Sequence, residues 1–323
     1  MNKNPCNPLL AILLAVTASA CTPRGVVSHP TFESGQYTFR DPDQAADSLR
    51  DAVEKQDQVA LAKIFGPQSS DIISSGDEVA DKEHLKAFAA QMDQGVDIIE
   101  TSNQNPAQKN QRLAFLTVGA QHYPFPIALY RRANGWRFDT AVGKEEIIDR
   151  RIGRNEMKAI RVAHRYVQAQ HEYRNLQAHE GKAPQFARRF FSTPGEHDGL
   201  YWESAQGAPA SPLGAAVAAA CTEGYSVKNL QTPKPFSGYH FAILTAQGAH
   251  ARGGAMSYVD SKGKMSRGFA LVAYPAAHGS SGVSTFLVGP DGIIYEKNLG
   301  PHTEKIAQSM TRFDPDLSWA PVR

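Results

Sequence analysis

A chain of 323 residues exceeds the usual size of one domain, so two domains of ordinary size are expected. With 41% hydrophobic and 20% charged residues it has the composition of a soluble globular protein with ample core. A formal charge of +2, from basic and acidic residues that are interleaved along the chain, excludes a global pull on nucleic acid or an anionic membrane surface.

The first twenty residues differ from the rest. Lys3 supplies a positive start, Leu9 to Val16 a short apolar run, and Ala18-Ser19-Ala20 small residues just before Cys21. Residues 1–20 are therefore predicted to be an export signal, too short to anchor stably across a bilayer. Cys21 then points to a lipoprotein held in a membrane by a thioether-linked diacylglycerol. Ala18 stands where that processing site normally has Leu, and the same small residues also suit ordinary signal peptidase, which would release a free periplasmic protein. Thr22 after the cysteine, rather than Asp, favours the outer membrane of a Gram-negative cell. The expected location is periplasmic, as an outer-membrane-anchored lipoprotein. With Cys6 in the signal and Cys21 acylated, Cys221 has no disulfide partner. It closes the apolar run that starts at Pro212 and is expected to be a small buried hydrophobe.

Residues 21–40 read as a tether. An N-terminal domain over 41–143 is predicted to begin with a helix started by Asp41-Pro42, with Ala45, Ala46, Leu49 and Val53 on one face. A second helix carries Leu61 and Ile64 to Gly66-Pro67, and a third carries Leu85, Phe88 and Met92. After the polar stretch Gln104 to Asn110, strands are predicted at Leu113 to Val118, Phe125 to Tyr130 and Trp136 to Asp139. Helices followed by a curved sheet look like the domains related to nuclear transport factor 2. A C-terminal domain over 144–323 opens on a long helix, Lys144 to Leu176, with a kink expected at Gly153. A loop-rich region from Gly181 to Ser237 holds one Ala-rich helix. Four strands follow, at Tyr239 to Leu244, Gly268 to Tyr274, Val283 to Val288 and Ile293 to Tyr295. The tail Arg312-Phe313-Asp314-Pro315-Asp316 with Trp319 is expected to dock on the body. Long helix, loop and meander resemble the heads of type IV pilins, without the apolar helix start that builds a filament. The fold class is α+β in two domains.

The densest knot of ionisable groups is Gly135 to Glu156, a strand running into a charged helix across the joint. Glu145 and Asp149 are a like-charge pair at helical spacing, and Glu146 and Arg150 an attractive one. The plain reading is a salt-bridged surface between domains. The functional reading is an inter-domain cleft whose arginines hold an anionic ligand. A second concentration is Ser192 to Trp202, where Asp198-Gly199 makes a turn and Tyr201 and Trp202 an anchor. His197 beside Asp198 suggests a dyad, but adjacent turn residues point apart and no nucleophile accompanies them. His164 and His171, seven apart on one helix, lack zinc spacing. The His278-Gly279-Ser280-Ser281-Gly282 run misses the nucleophile-elbow spacing and reads as a hairpin turn. The candidate ligand surface is thus Trp136, Asp139, Glu145, Arg150, Arg151, Asp198, Tyr201 and Trp202, and no catalytic, metal or cofactor residue is assigned.

Several motifs carry a family resemblance. They include F-R-D-P-D at Phe39, G-D at Gly76, the stretch from Gly135 to Glu156 and D-G-L-Y-W at Asp198. Others are S-P-L-G at Ser211, G-Y-H-F at Gly238, G-F-A-L-V-A-Y-P at Gly268 and R-F-D-P-D at Arg312. Together they resemble the bacterial domain-of-unknown-function family 2950, whose members are exported, over nearly all of the chain after the tether. Val142 stands where that family usually has Ala, and Tyr274 where it has Trp. The resemblance implies no activity. The expected function is a non-catalytic, lipid-anchored envelope protein that holds an envelope partner or small ligand at the inter-domain surface, with no nucleic acid. Alternatives are a hydrolase of envelope polymers using paired carboxylates such as Asp139 and Glu145, and a pilin-like assembly component.

Overall fold

Asp41 accepts a hydrogen bond from the Gln44 amide, and Pro42 supplies the fixed φ of a first helical turn, so α1 (Pro42–Glu54) starts where the chain has both. The computed structural model describes residues 35–102, 112–204 and 210–322. The predicted signal, Cys21, the tether up to residue 34 and the stretch Gln104 to Asn110 lie outside the described residues. The described residues form one compact unit, and its class is α+β.

Asp57 caps α2 (Gln58–Phe65), which stops at Gly66 because its φ of 87° leaves the helical region. A 3-10 turn (Pro67–Ser69) and a short α3 (Ser70–Ile73) follow, and Asp77 caps α4 (Glu78–Asp93). The first sheet takes β1 (Val96–Ser102), β2 (Arg112–Val118), β3 (Tyr123–Pro124), β4 (Leu129–Arg132) and β5 (Gly135–Phe138). Its order is β1-β2-β4-β5, with β3 beside β2 and every pairing antiparallel. Leu49, Ile64, Met92, Leu116, Leu129 and Phe138 meet between helices and sheet as one core. Phe39 closes the far edge, exchanging backbone hydrogen bonds of 2.8 and 2.7 Å with Trp136.

The long helix α5 (Thr140–His179) is continuous through Gly153 and across the predicted 143/144 boundary. Its first turns pack on the front core through Gly143, and its later turns bury Ala159, Ala163, Tyr166 and Tyr173 against the second core. That core lies under a second antiparallel sheet. The strands are β6 (Tyr239–Leu244), β9 (Ala270–Pro275), β10 (Ser284–Val288), β11 (Ile294–Asn298) and β12 (Ala320–Pro321), in the order β12-β11-β10-β9-β6. The excursion between β6 and β9 carries a two-stranded ribbon, β7 (Ala246–Gln247) and β8 (Met256–Ser257). α6 (Gly214–Thr222) and α7 (Val227–Leu230) lie in the stretch read as loop-rich, and α8 (Thr303–Gln308) precedes the tail. Phe313 and Trp319 are buried, so the tail docks as expected. Cys221 corrects an expectation: it is exposed, because α6 turns Val217 and Ala220 inward and the next residue falls outside that face. Among the described residues no helix is long and apolar enough to cross a membrane.

Two glycines in α5 predict opposite outcomes. A methyl at Gly143 would lie 2.5 Å from the Pro126 carbonyl oxygen and 2.7 Å from the Ile127 Cα, both backbone atoms with little room to give. Gly143→Ala is expected to destabilise by about 1–3 kcal/mol despite alanine's higher helix propensity. Nothing lies within 4 Å of the same methyl at Gly153, so Gly153→Ala is expected to stabilise by about 0.5–1 kcal/mol. Urea denaturation of both variants checks the pair of signs.

Candidate functional site

The joint between the two cores is built from residues 71–81 on one side and α5 with the turns around 225–238 and 277–284 on the other. Arg151 is only 4% exposed. Its guanidinium donates to the carbonyl oxygens of Asp71 at 2.7 Å and Ile72 at 2.9 Å, and more weakly to Ser280 Oγ at 3.4 Å. One turn on, Asn155 Nδ2 donates to the Ser281 carbonyl at 2.9 Å, and Glu156 Oε1 accepts from the Val283 and Ser284 amides, each at 2.9 Å. Lys144 pairs with Asp71 at 2.6 Å. Arg151, Asn155 and Glu156 of this stretch are thus committed to backbone groups of both halves, where an unmet carbonyl or amide would cost free energy.

Asp77 is the second clamp. It is 3% exposed. Its Oδ1 accepts from the Ala80 amide at 3.1 Å, capping α4, while Oδ2 accepts from the Tyr225 hydroxyl at 2.7 Å and the Gly238 amide at 3.2 Å. The Tyr225 hydroxyl in turn accepts from the Ser237 amide at 3.1 Å. Burial pushes the Tyr225 phenol well above its ordinary range, with the neighbouring Asp77 charge adding to it, so it stays a donor. Nearby, burial holds His84 below the usual histidine range, with Arg154 acting in the same direction.

Beside this clamp opens a cavity of about 410 Å³. One wall is the turn Gly76 to Val79. The others come from α5 (Val162, Tyr166), from Phe190 and Phe191, from α6 (Val217, Ala220) and from the segment leading into β6, with Phe236 and Phe241. The size falls within the range of small-molecule sites, and the lining is mostly apolar and aromatic as such sites are. Arg165 at its edge is already held by Glu172, with bonds of 2.7 and 3.0 Å, and by the Pro212 carbonyl. His240 faces the cavity half-buried, its ring tilted over Tyr274 at 5.3 Å between centroids. Burial holds this imidazole below its ordinary range against the opposing pull of Glu304 and Asp77.

The eight residues expected to form a ligand surface do not come together. Trp136 is 3% exposed, buried in the front core because its strand turns it inward beneath Phe39. Asp139 sits half-buried at the start of α5, where burial raises its carboxyl above the usual range. Glu145 lies exposed six positions on, about two-thirds of a turn round the helix, so these carboxylates do not share a face. Arg150 is exposed and paired with Glu146 at 2.7 Å, whereas Arg151 is committed inside the joint. The Asp198 turn docks near the far end of α5, through a 3.0 Å bond from the Tyr173 hydroxyl to the His197 carbonyl. That is about 33 Å along the helix from Arg151, at 1.5 Å per residue. Asp198 holds its own turn, accepting from Thr193 N at 2.7 Å and Thr193 Oγ1 at 2.9 Å, with Arg189 3.2 Å away. Trp202 stacks on His197 with centroids 4.3 Å apart, and Tyr201 meets Phe191 edge-on at 5.6 Å. Phe191 lines the cavity, so of these eight positions Tyr201 comes nearest to touching its wall. Among the described residues no three His, Cys, Asp or Glu side chains gather as a metal would require.

Residue-by-residue weighing missed Asp77 and His240. The signal that could have found them was present in the motifs, since G-D at Gly76, S-P-L-G at Ser211 and G-Y-H-F at Gly238 all put residues on this one cavity.

A family model described as protein of unknown function (DUF2950) matches residues 36–322, and the chain belongs to that family. No curated protein and no solved structure matches it.

Proposed function

We propose that this DUF2950 family member is an exported, lipid-anchored envelope protein that binds a small ligand in the cavity beside Asp77, without chemical conversion. The observation that carries the reading is the cavity itself: about 410 Å³, mostly apolar, and walled by segments from both sides of the joint. The state of its Asp77 and Arg165 side chains supports binding rather than catalysis. The Asp77 carboxylate is consumed by three donors and the Arg165 guanidinium by Glu172 and a carbonyl, so neither stands ready to move a proton or stabilise a developing charge. N-phenyl-1-naphthylamine, an uncharged probe that brightens in apolar surroundings, tests this. It is expected to bind the protein, and Ala216→Trp, which projects an indole into the space, is expected to weaken binding at least about tenfold with the fold intact. Binding that survives Ala216→Trp unchanged sinks the cavity as the site.

The anchor is supported by the apolar run Leu9 to Val16 and by the small residues before Cys21. With that cysteine acylated, the protein would be tethered in the outer membrane, within reach of envelope amphiphiles. Cys21→Ser is expected to move the protein from the membrane pellet to the soluble periplasmic fraction. A mutant that still pellets with membranes contradicts the lipid anchor.

A further inference from the structure

The cavity's charges and its histidine narrow what it can hold, on the reading that it is a ligand site. Four charged side chains line it, and they balance: Asp77 and Glu78 against Arg165 and Lys234. Asp77 and Arg165 are already satisfied by protein partners. The other two, Glu78 and Lys234, are exposed to water, one of each sign. An ionic head seated among the apolar walls, away from the water-exposed Glu78 and Lys234, would therefore lose its hydration and find no uncommitted opposite charge. An uncharged molecule meets no such cost.

One polar group does remain available. Among the described residues, no hydrogen bond to the His240 ring is found, although it is half-buried and faces the cavity. Held neutral by its burial, the ring offers one N–H donor and one acceptor nitrogen to a ligand. Around it the walls are Val162, Phe190, Val217, Leu230, Phe236 and Phe241. A volume of about 410 Å³ lies toward the small end of ligand cavities, which suits one chain rather than the two of a bilayer phospholipid.

We infer that the cavity takes an uncharged single-chain amphiphile, its alkyl chain against the apolar walls and its hydroxyl or carbonyl on His240. The partner class is thus a long-chain alcohol, monoacylglycerol or fatty ester, and not a free fatty acid, an amine or a phospholipid.

The test uses the full chain carrying Cys21→Ser, so that no detergent competes. N-phenyl-1-naphthylamine is bound at pH 8 and displaced with dodecan-1-ol, laurate or dodecylamine, equal in chain length and different in charge. Dodecan-1-ol is expected to displace the probe at concentrations about tenfold below those of either ion, equivalent to one misplaced polar interaction. His240→Ala is expected to raise the dodecan-1-ol concentration needed about fivefold, the loss of one hydrogen bond, while leaving those of laurate and dodecylamine nearly unchanged. Laurate or dodecylamine displacing as well as the alcohol overturns the uncharged-ligand inference while leaving the cavity as a binding site. A probe that never binds overturns the cavity reading itself. Displacement by dodecan-1-ol that His240→Ala leaves unchanged overturns the role of His240.

Discussion

Arg151→Ala is expected to lower the stability of the protein by about 2–5 kcal/mol. Arg151 is 4% exposed and its guanidinium serves two half-buried carbonyls, those of Asp71 and Ile72. Alanine would leave both without a donor, at about 1–3 kcal/mol each, and open a space where the side chain lay. Arg151→Lys should recover only part of the loss, because one ammonium on a flexible stem cannot reproduce a planar fork aimed at two oxygens. Arg150→Ala is the contrast. That side chain is exposed and its pair with Glu146 spans one helical turn, so its removal should cost no more than about 0.5 kcal/mol. Urea midpoints at constant slope measure all three. If Arg150→Ala and Arg151→Ala cost the same, the joint is not held as described.

The second large effect is expected at Asp77. Asp77→Ala removes a helix cap, worth about 1 kcal/mol, and strands the Tyr225 hydroxyl and the Gly238 amide in a buried place. A total near 3 kcal/mol follows. Tyr225→Phe takes away one donor and leaves Asp77 the other two, so its cost should stay near 1 kcal/mol. In the double variant the Tyr225 change should add less than it costs alone, since the hydroxyl it removes has already lost its acceptor and only the bond from the Ser237 amide is left to lose. Thermal melts of the two single variants and the double one close this cycle. Full additivity would mean that the Tyr225–Asp77 bond carries no energy.

Local chemistry made much of the fold legible. Asp41-Pro42 marked the start of α1, and the apolar and aromatic run Tyr239 to Leu244 marked β6. The Phe313 and Trp319 tail docked as its aromatics suggested. Where several residues had equal claims, the pattern failed. In the run Gly214 to Cys221 almost every position is apolar, so no face was distinguished and Cys221 could not be placed outside. At Gly153 the helix α5 continues without a break, because a glycine costs a helix only about 1 kcal/mol and the packing of α5 on both cores outweighs that.

The site was harder to read for a similar reason. Charge density drew attention to Arg150 and Arg151, but density does not say whether a guanidinium faces water, a ligand or a backbone carbonyl. Arg151 turned out to face the last of these. The cavity residues are spread from Gly76 to Phe241, and several lie in a stretch that reads as loop. Only the tertiary contact of α5, α6 and β6 with the Asp77 turn brings them together, and no local period encodes it.

The most direct test of the account is a crystal structure of the protein grown with N-phenyl-1-naphthylamine. The probe's rings are expected between Val217, Phe236 and Phe241, with the Asp77–Tyr225 hydrogen bond intact beside them. A probe bound elsewhere, with this space filled by inward rotation of those same side chains, would contradict it.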